Sequence, residues 1–413
     1  MAIFSRLLPG KFVSFASTSL VVGSAGIWAT IITMNDDWDD YVTYGRPVLK
    51  EPLNPQEKER IVILGSGWGG LNALMKCKGR NKDIVVVSPR PHFLYTPLLA
   101  GSAVGSISLR SACEPIRNLI ANAAADSGDA ATGGSTTYVR ADARYVDVHN
   151  KRVYATTGDD TNTDLELSYD KLLIAVGSQP NTFGIPGVKE HGLFMKEAED
   201  SAKLQATLLS NLEKASALLQ INGGVEEDDH GYGEEIDRLL TVMIVGAGPT
   251  GVELSAEMAD FRLNDVKELF GAAISNRMKI VLVEAIPRIL GPFDPKLAKI
   301  ARAHLESRGV EVRTCCAVTR VLDPATVTLA PSTPRTATAQ QKQDALAKAT
   351  TEKVGAFVWC AGVGPRPFVK VRVYGIYIIV CWYQILWHVC VYIFIFQHVS
   401  YHFIQFAYIL KQK

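Results

Sequence analysis

Taken whole, this sequence has almost no surplus of positive charge. Its 43 Lys and Arg face 42 Asp and Glu, for a formal net charge of +1. With no basic stripe available to neutralise phosphates, nucleic acid is not an expected partner. The seven cysteines (Cys77, Cys113, Cys315, Cys316, Cys360, Cys381 and Cys390) form no C-x-x-C pair. No His cluster joins them at zinc spacing, so no metal site is expected. Their odd number and irregular spacing also argue against a disulfide-stapled secreted fold. No G-K-[ST] follows any glycine cluster, which excludes a P-loop kinase or nucleotide hydrolase. What remains is a chain of 413 residues, long enough for two domains with sizeable cores.

Charge is missing from both ends as well. Phe12 to Met34 holds no charged side chain and is long enough to span a bilayer. Arg6 and Lys11 precede it, and Asp36, Asp37, Asp39 and Asp40 follow. Residues 1–35 therefore read as a targeting segment and retained anchor, with a cleaved transit or signal peptide as the alternative. The charge asymmetry would place the body across the membrane from the N-terminus. Residues 36–59, with Pro47, Pro52 and Pro55, read as a linker. From Val373 to Leu410 there is no Asp, Glu, Lys, Arg or Pro. Residues 368–413 read as an aberrant apolar tail, either translated non-coding sequence or a transmembrane helix from about Tyr374 to Phe396.

Between the ends lie two units of one design. In the first, the apolar run Ile61 to Leu64 leads into Gly65-Ser66-Gly67-Trp68-Gly69-Gly70, a helix, and a second apolar run from Ile84 to Val87. Gly65 allows a tight turn, Gly67 lets the backbone approach a diphosphate, and Gly70 lets helix and strand pack closely. The helix start then offers unpaired N–H groups to the anion. A glycine turn without a ligand is the plain alternative, and the strand–turn–helix–strand context weighs against it. The second strand closes on Ser88-Pro89-Arg90 where Asp or Glu usually holds a ribose hydroxyl. Ser88 could serve as a neutral partner, and Arg90 could stack on adenine.

The second unit runs from Val242 through Gly246-Ala247-Gly248-Pro249-Thr250-Gly251, a helix to Phe261, and a strand closed by Glu284. A carboxylate there suits both ribose hydroxyls of NADH and repels the extra phosphate of NADPH. One like-charge pair at 4 Å costs about 4 kcal/mol at a surface-like dielectric. Arg288, one turn on, would soften that preference. An ordinary solvated carboxylate is the plain alternative for Glu284.

Several further segments are similar to the mitochondrial type II NADH dehydrogenases, and most of all to their outward-facing members. Gly65-Ser66-Gly67-Trp68-Gly69 has the form of that family's first motif. The run Ser88 to Leu99, with Thr96, Pro97 and Leu98, resembles its flavin-contacting loop. Leu173 to Val188, including Ala175 and Gly177, resembles the crossover between its domains. Glu253 is similar to the carboxylate near its nicotinamide, and Val358 to Gly362, with Ala361 and Gly362, to its closing strand and turn. The match spans roughly Arg60 to Pro367.

The resemblance implies an α/β fold of two Rossmann-like dinucleotide-binding domains: residues 60–188 for FAD and 189–367 for NADH. It implies FAD and NADH as cofactors, ubiquinone as acceptor, no proton pumping, and the mitochondrial inner membrane facing the intermembrane space. Membrane lipid and a second copy of the chain complete the expected partners. No side chain is expected as a general acid or base, because hydride transfer to a flavin needs orientation and exclusion of water. His92 and His191 are expected to pack. The family's later second flavin motif, quinone-site helix and docking helices find no counterpart after Pro367, so the C-terminal part of the flavin domain is expected to be missing. The competing readings are a nucleotide-binding remnant without turnover and a soluble relative that reduces a ferredoxin or another protein.

Overall fold

The computed structural model describes residues 48–50, 58–77, 82–127, 134–158, 163–221, 232–334 and 336–370. The two apolar ends and most of the linker lie outside the described residues. Among the described residues no helix is long and apolar enough to cross a membrane.

The first glycine unit builds a four-stranded parallel sheet in the order Lys171–Ile174, Glu59–Leu64, Lys82–Val87, Ser135–Val139. Ile61, Val62, Ile63 and Leu64 are all buried. Both faces are therefore covered, as the unbroken apolar run requires. The chain winds outward from its first strand and then crosses back to that strand's other side. A crevice opens at such a reversal, beyond the carboxyl ends of the strands. A second sheet, Ala141–Asp147, Arg152–Thr157 and Asp164–Ser168, lies beside it, with Val48–Lys50 paired in parallel on its edge. Part of the expected linker is thus a strand.

The second unit repeats the plan. Its five-stranded parallel sheet runs Leu193–Phe194, Ala356–Trp359, Thr241–Val245, Lys279–Val283, Val310–Arg313. Again the chain reverses beside the strand that feeds the glycine turn. A three-stranded antiparallel sheet, Cys316–Asp323, Thr326–Pro331 and Thr350–Lys353, packs on its far side. The stretch 329–351, which its composition reads as a low-complexity surface insertion, holds the helix Ala339–Ala347, none of whose residues is buried. Thr338 and Gln341 close its start as a reciprocal capping box, the local signal that composition hides.

The two units meet along two short antiparallel strands, Ser178–Pro180 and Val363–Pro365. They also share a core. The helix Leu99–Val104, from the first unit, is buried at all six residues. It packs among Leu204, Leu208, Leu254 and Met258 of the second.

Candidate functional site

The two glycine turns are built from the same set of bonds. In the first, Gly65 N–H donates to Val87 O and Ala175 N–H to Leu64 O, each at 2.8 Å. In the second, Gly246 N–H donates to Val283 O and Cys360 N–H to Val245 O, also at 2.8 Å. Gly65 (φ +105°) and Gly246 (φ +99°) occupy the left-handed region. A Cβ on Gly65 would lie 2.2 Å from Ala175 O, and one on Gly246 2.7 Å from Ala361 Cα. Gly70 and Gly251 close the helices onto their turns, where a Cβ would fall 1.8 Å from Gly65 O and 1.9 Å from Gly246 O. These four glycines are imposed by backbone contact. Gly67 is different: the nearest atom to its would-be Cβ is Arg90 Nη2, at 3.5 Å. The fold itself does not demand a glycine there, and Gly67 lies on the wall of a cleft.

The helices Trp68–Cys77 and Pro249–Phe261 start at these turns. Gly248 is the N-cap of the second and Pro249 stands in its first turn, where a missing N–H costs nothing. Each start leaves N–H groups facing the crevice.

The two closing residues are held differently. Glu284 accepts Ala247 N–H at 2.7 Å on one oxygen and Ile286 N–H at 3.1 Å on the other. Its carboxylate is fixed against the glycine turn with lone pairs to spare. Arg288 donates to Gly291 O in its own loop. Ser88 is buried and its hydroxyl accepts from Ser66, at 2.8 Å, and from Arg90 N–H, at 3.3 Å. A neutral serine pair therefore closes the first turn where a carboxylate closes the second. Pro89 completes that bend, its carbonyl accepting from Arg140 at 3.4 Å.

Two clefts, of about 610 and 700 Å³ with open solvent included, lie between the turns and share Thr96 and Lys196 on their walls. The first carries Gly67, Trp68, Gly69, Arg90, Ala175 and Gly177. The second carries Pro97 from the first unit and Thr250, Glu253 and Gly362 from the second. Trp68 donates its indole N–H to Thr96 Oγ1 at 3.3 Å, which ties the glycine turn to the loop dividing the clefts. Leu98 instead packs against the shared core.

Burial, with Glu257 adding like charge, pushes the half-buried Glu253 carboxyl up to about 7. His92 is lowered, first by burial, and its Nε2 has no hydrogen-bond partner. Three residues that motif reading passed over also line the first cleft: Lys196, Glu197 and Arg366. Arg90 and Arg366 both donate to Glu197. The available signal was a charged pair at the carboxyl end of a parallel strand, just before a helix.

The donor set suits diphosphates. Each turn offers a glycine cradle at a helix start, and the first cleft leaves two net positive charges among Arg90, Lys196, Glu197 and Arg366. The comparisons agree with this geometry. A family model described as pyridine nucleotide-disulphide oxidoreductase matches residues 59–376. An external alternative NAD(P)H-ubiquinone oxidoreductase of Solanum tuberosum mitochondria is 34% identical over 333 residues, covering 80% of this chain and 52% of that protein. The external NADH-ubiquinone oxidoreductase 2 of Saccharomyces cerevisiae mitochondria is 34% identical over 318 residues, covering 77% and 52%. The solved structure of NDH2 from Plasmodium falciparum in complex with NADH aligns with TM-score 0.63 and 28% identity, covering 76% of this chain and 57% of that one. The chain thus spans about half the length of the curated relatives it matches. With the matched model covering both glycine turns and the clefts between them, the chain belongs to the pyridine nucleotide-disulphide oxidoreductase family.

Proposed function

We propose that this chain is the dinucleotide-binding body of a flavin-dependent NADH:ubiquinone oxidoreductase of the type II kind, which does not pump protons. FAD would sit on the first turn, within residues 60–188, and NADH on the second, within residues 189–367. The observation that carries this reading is the shared cleft wall. Thr96 and Pro97 of the first unit face Thr250, Glu253 and Gly362 of the second across one opening, so two ligands with diphosphates on separate turns would meet there.

Bound FAD supplies a ring that accepts a hydride from NADH and releases the electrons to a quinone. The chain's own part is placement. The turn at Gly67 and the start of its helix hold one diphosphate. Gly246, Gly248 and Gly251 shape the turn that holds the other, and Glu284 takes the ribose hydroxyls. Glu253 faces the shared cleft and accepts from a carboxamide N–H when ionised. Met195 and Trp359 help wall the same cleft and limit water. No side chain is assigned as a general acid or base.

Location at the mitochondrial inner membrane, with the body in the intermembrane space, belongs to the same proposal. It is supported by the names of the relatives and by the apolar N-terminal stretch. Lipid contact and self-association belong to it too. The deciding experiment is flavin absorbance of the purified full chain. A yellow protein that NADH bleaches, and that a soluble ubiquinone analogue re-oxidises, supports the reading. A chain that binds NADH but takes no flavin would be a nucleotide-binding remnant.

A further inference from the structure

We propose that Glu197 is a positioning residue for the diphosphate end of the flavin site, gripping Arg90 and Arg366 on the cleft wall that they share with the Gly67 turn. The proposal rests on the flavin reading above. Glu197 stands just before the helix Ala198–Ile221. Asp200, in the first turn of that helix, accepts the N–H groups of both Lys196 and Glu197, at 3.0 and 2.8 Å. The backbone under the Glu197 side chain is thereby fixed.

Its two oxygens are used separately. Arg90 Nη1 donates to Oε2, and Arg366 Nη2 donates to Oε1 at 2.9 Å. The guanidinium is a planar fork, so fixing one edge aims the other. For Arg90 the second terminal nitrogen, Nη2, lies 3.5 Å from the point where a Gly67 side chain would begin. Both lie on the lining of the first cleft, where an anion at the turn would come within reach of that nitrogen. For Arg366, Nε is buried and has no hydrogen-bond partner. Arg366 lines the same cleft as Gly67 and Arg90. The carboxylate thus holds two arginines that line the same cleft as the Gly67 turn. It also joins three distant stretches of chain, with Arg90 and Arg366 lying 107 and 169 positions from it.

Charge and geometry predict opposite outcomes when this carboxylate is removed. Glu197 is the one anion on the walls of a cleft built for an anion. If it acted only through charge, Glu197→Gln would tighten FAD binding. If it positions the arginines, the same change releases two like-charged forks to separate, and binding weakens.

The experiment titrates FAD and riboflavin into the deflavinated full chain, following flavin fluorescence. We expect Glu197→Gln and Arg90→Lys each to raise the Kd for FAD about tenfold, the effect of losing one charge-assisted hydrogen bond. The double variant should bind FAD about as weakly as either single one, because both changes break the same arrangement. Riboflavin, which has no phosphate, should bind all of them alike. Tighter or unchanged FAD binding by Glu197→Gln overturns the proposal, as does an equal loss for riboflavin. Should Glu197→Gln fail to fold, Arg366→Lys carries the same test, since it keeps the charge and loses the fork. Wild-type chain that takes up no FAD refutes the flavin reading itself, whereas flavin uptake indifferent to all three variants refutes only the role of Glu197.

Discussion

At the scale of single residues, two carboxylates carry opposite burdens. Glu253 holds its proton more tightly in the folded chain than an unfolded one would, because burial and Glu257 raise it from 4.5 to about 7. Stability contributed by that bound proton is complete below pH 4.5 and is lost as pH rises toward 7. Glu253→Gln should therefore stabilise the protein at pH 8 and leave it little changed at pH 4. Discounted for partial exposure, the difference is about 1 kcal/mol, or about 2 °C in Tm. Melting curves across this range that run parallel for the two proteins would refute it. Glu284 contributes the other way, through two backbone N–H groups that lose a charged acceptor when it is changed. We expect Glu284→Gln to cost about 2 kcal/mol of stability. The same change should lower the preference for NADH over NADPH about tenfold, since the repelling charge is gone. Steady-state oxidation of both nucleotides by wild type and variant checks this. Glu284 was legible in the sequence because it closes an apolar strand, although it lies later after the glycine turn than the usual twenty-odd positions. The Glu197 bridge was not, since no spacing rule relates residues that meet only after both sheets have formed.

At the scale of elements, the glycines of one turn separate into two kinds, although a motif writes them alike. Gly70→Ala would drive a methyl to 1.8 Å from Gly65 O, so the helix must move off its strand. A cost of about 3 kcal/mol and loss of flavin together are expected. Gly67→Ala meets only ordinary contact at 3.5 Å and needs no left-handed backbone. It should change stability by no more than about 0.5 kcal/mol, yet its methyl would stand on the cleft wall at the turn and flavin content should fall steeply. Thermal melts and the flavin-to-protein absorbance ratio, taken on both variants, distinguish the two roles. A Gly67→Ala protein with full flavin would show that this part of the cleft is not where the diphosphate goes. The strand–turn–helix units themselves were readable because each keeps its strand, glycine turn and helix together in sequence, the first closing within about thirty residues. The order of strands in each sheet was not, because it depends on where the chain returns. The capping box at Thr338 was overlooked for another reason, since composition describes a stretch and a cap is two residues.

At the scale of the whole molecule, the two units are not beads on a string. The helix Leu99–Val104 leaves the first unit at the loop that divides the clefts, is buried at every residue, and puts Leu99, Ala100, Ala103 and Val104 into a core shared with the second. Ser102 and Ser201 join across that contact by a buried hydrogen bond of 2.7 Å. A core shared this way cannot open on one side without exposing apolar surface on the other, so the units should unfold together. A ligand on the first unit then stabilises both. FAD at a hundred times its Kd adds about 2.7 kcal/mol. We expect that increment throughout, including the strand Thr241–Val245 of the other unit, when hydrogen exchange is measured with and without FAD. Calorimetry of the full chain should show one transition for the two units, shifted upward as a whole. Protection confined to the strands around Gly65, with a second transition left in place, would mean that the contact between the clefts is too weak to hold donor and acceptor rings at a fixed separation. Electron transfer between bound nucleotides would then require a partner surface to close them.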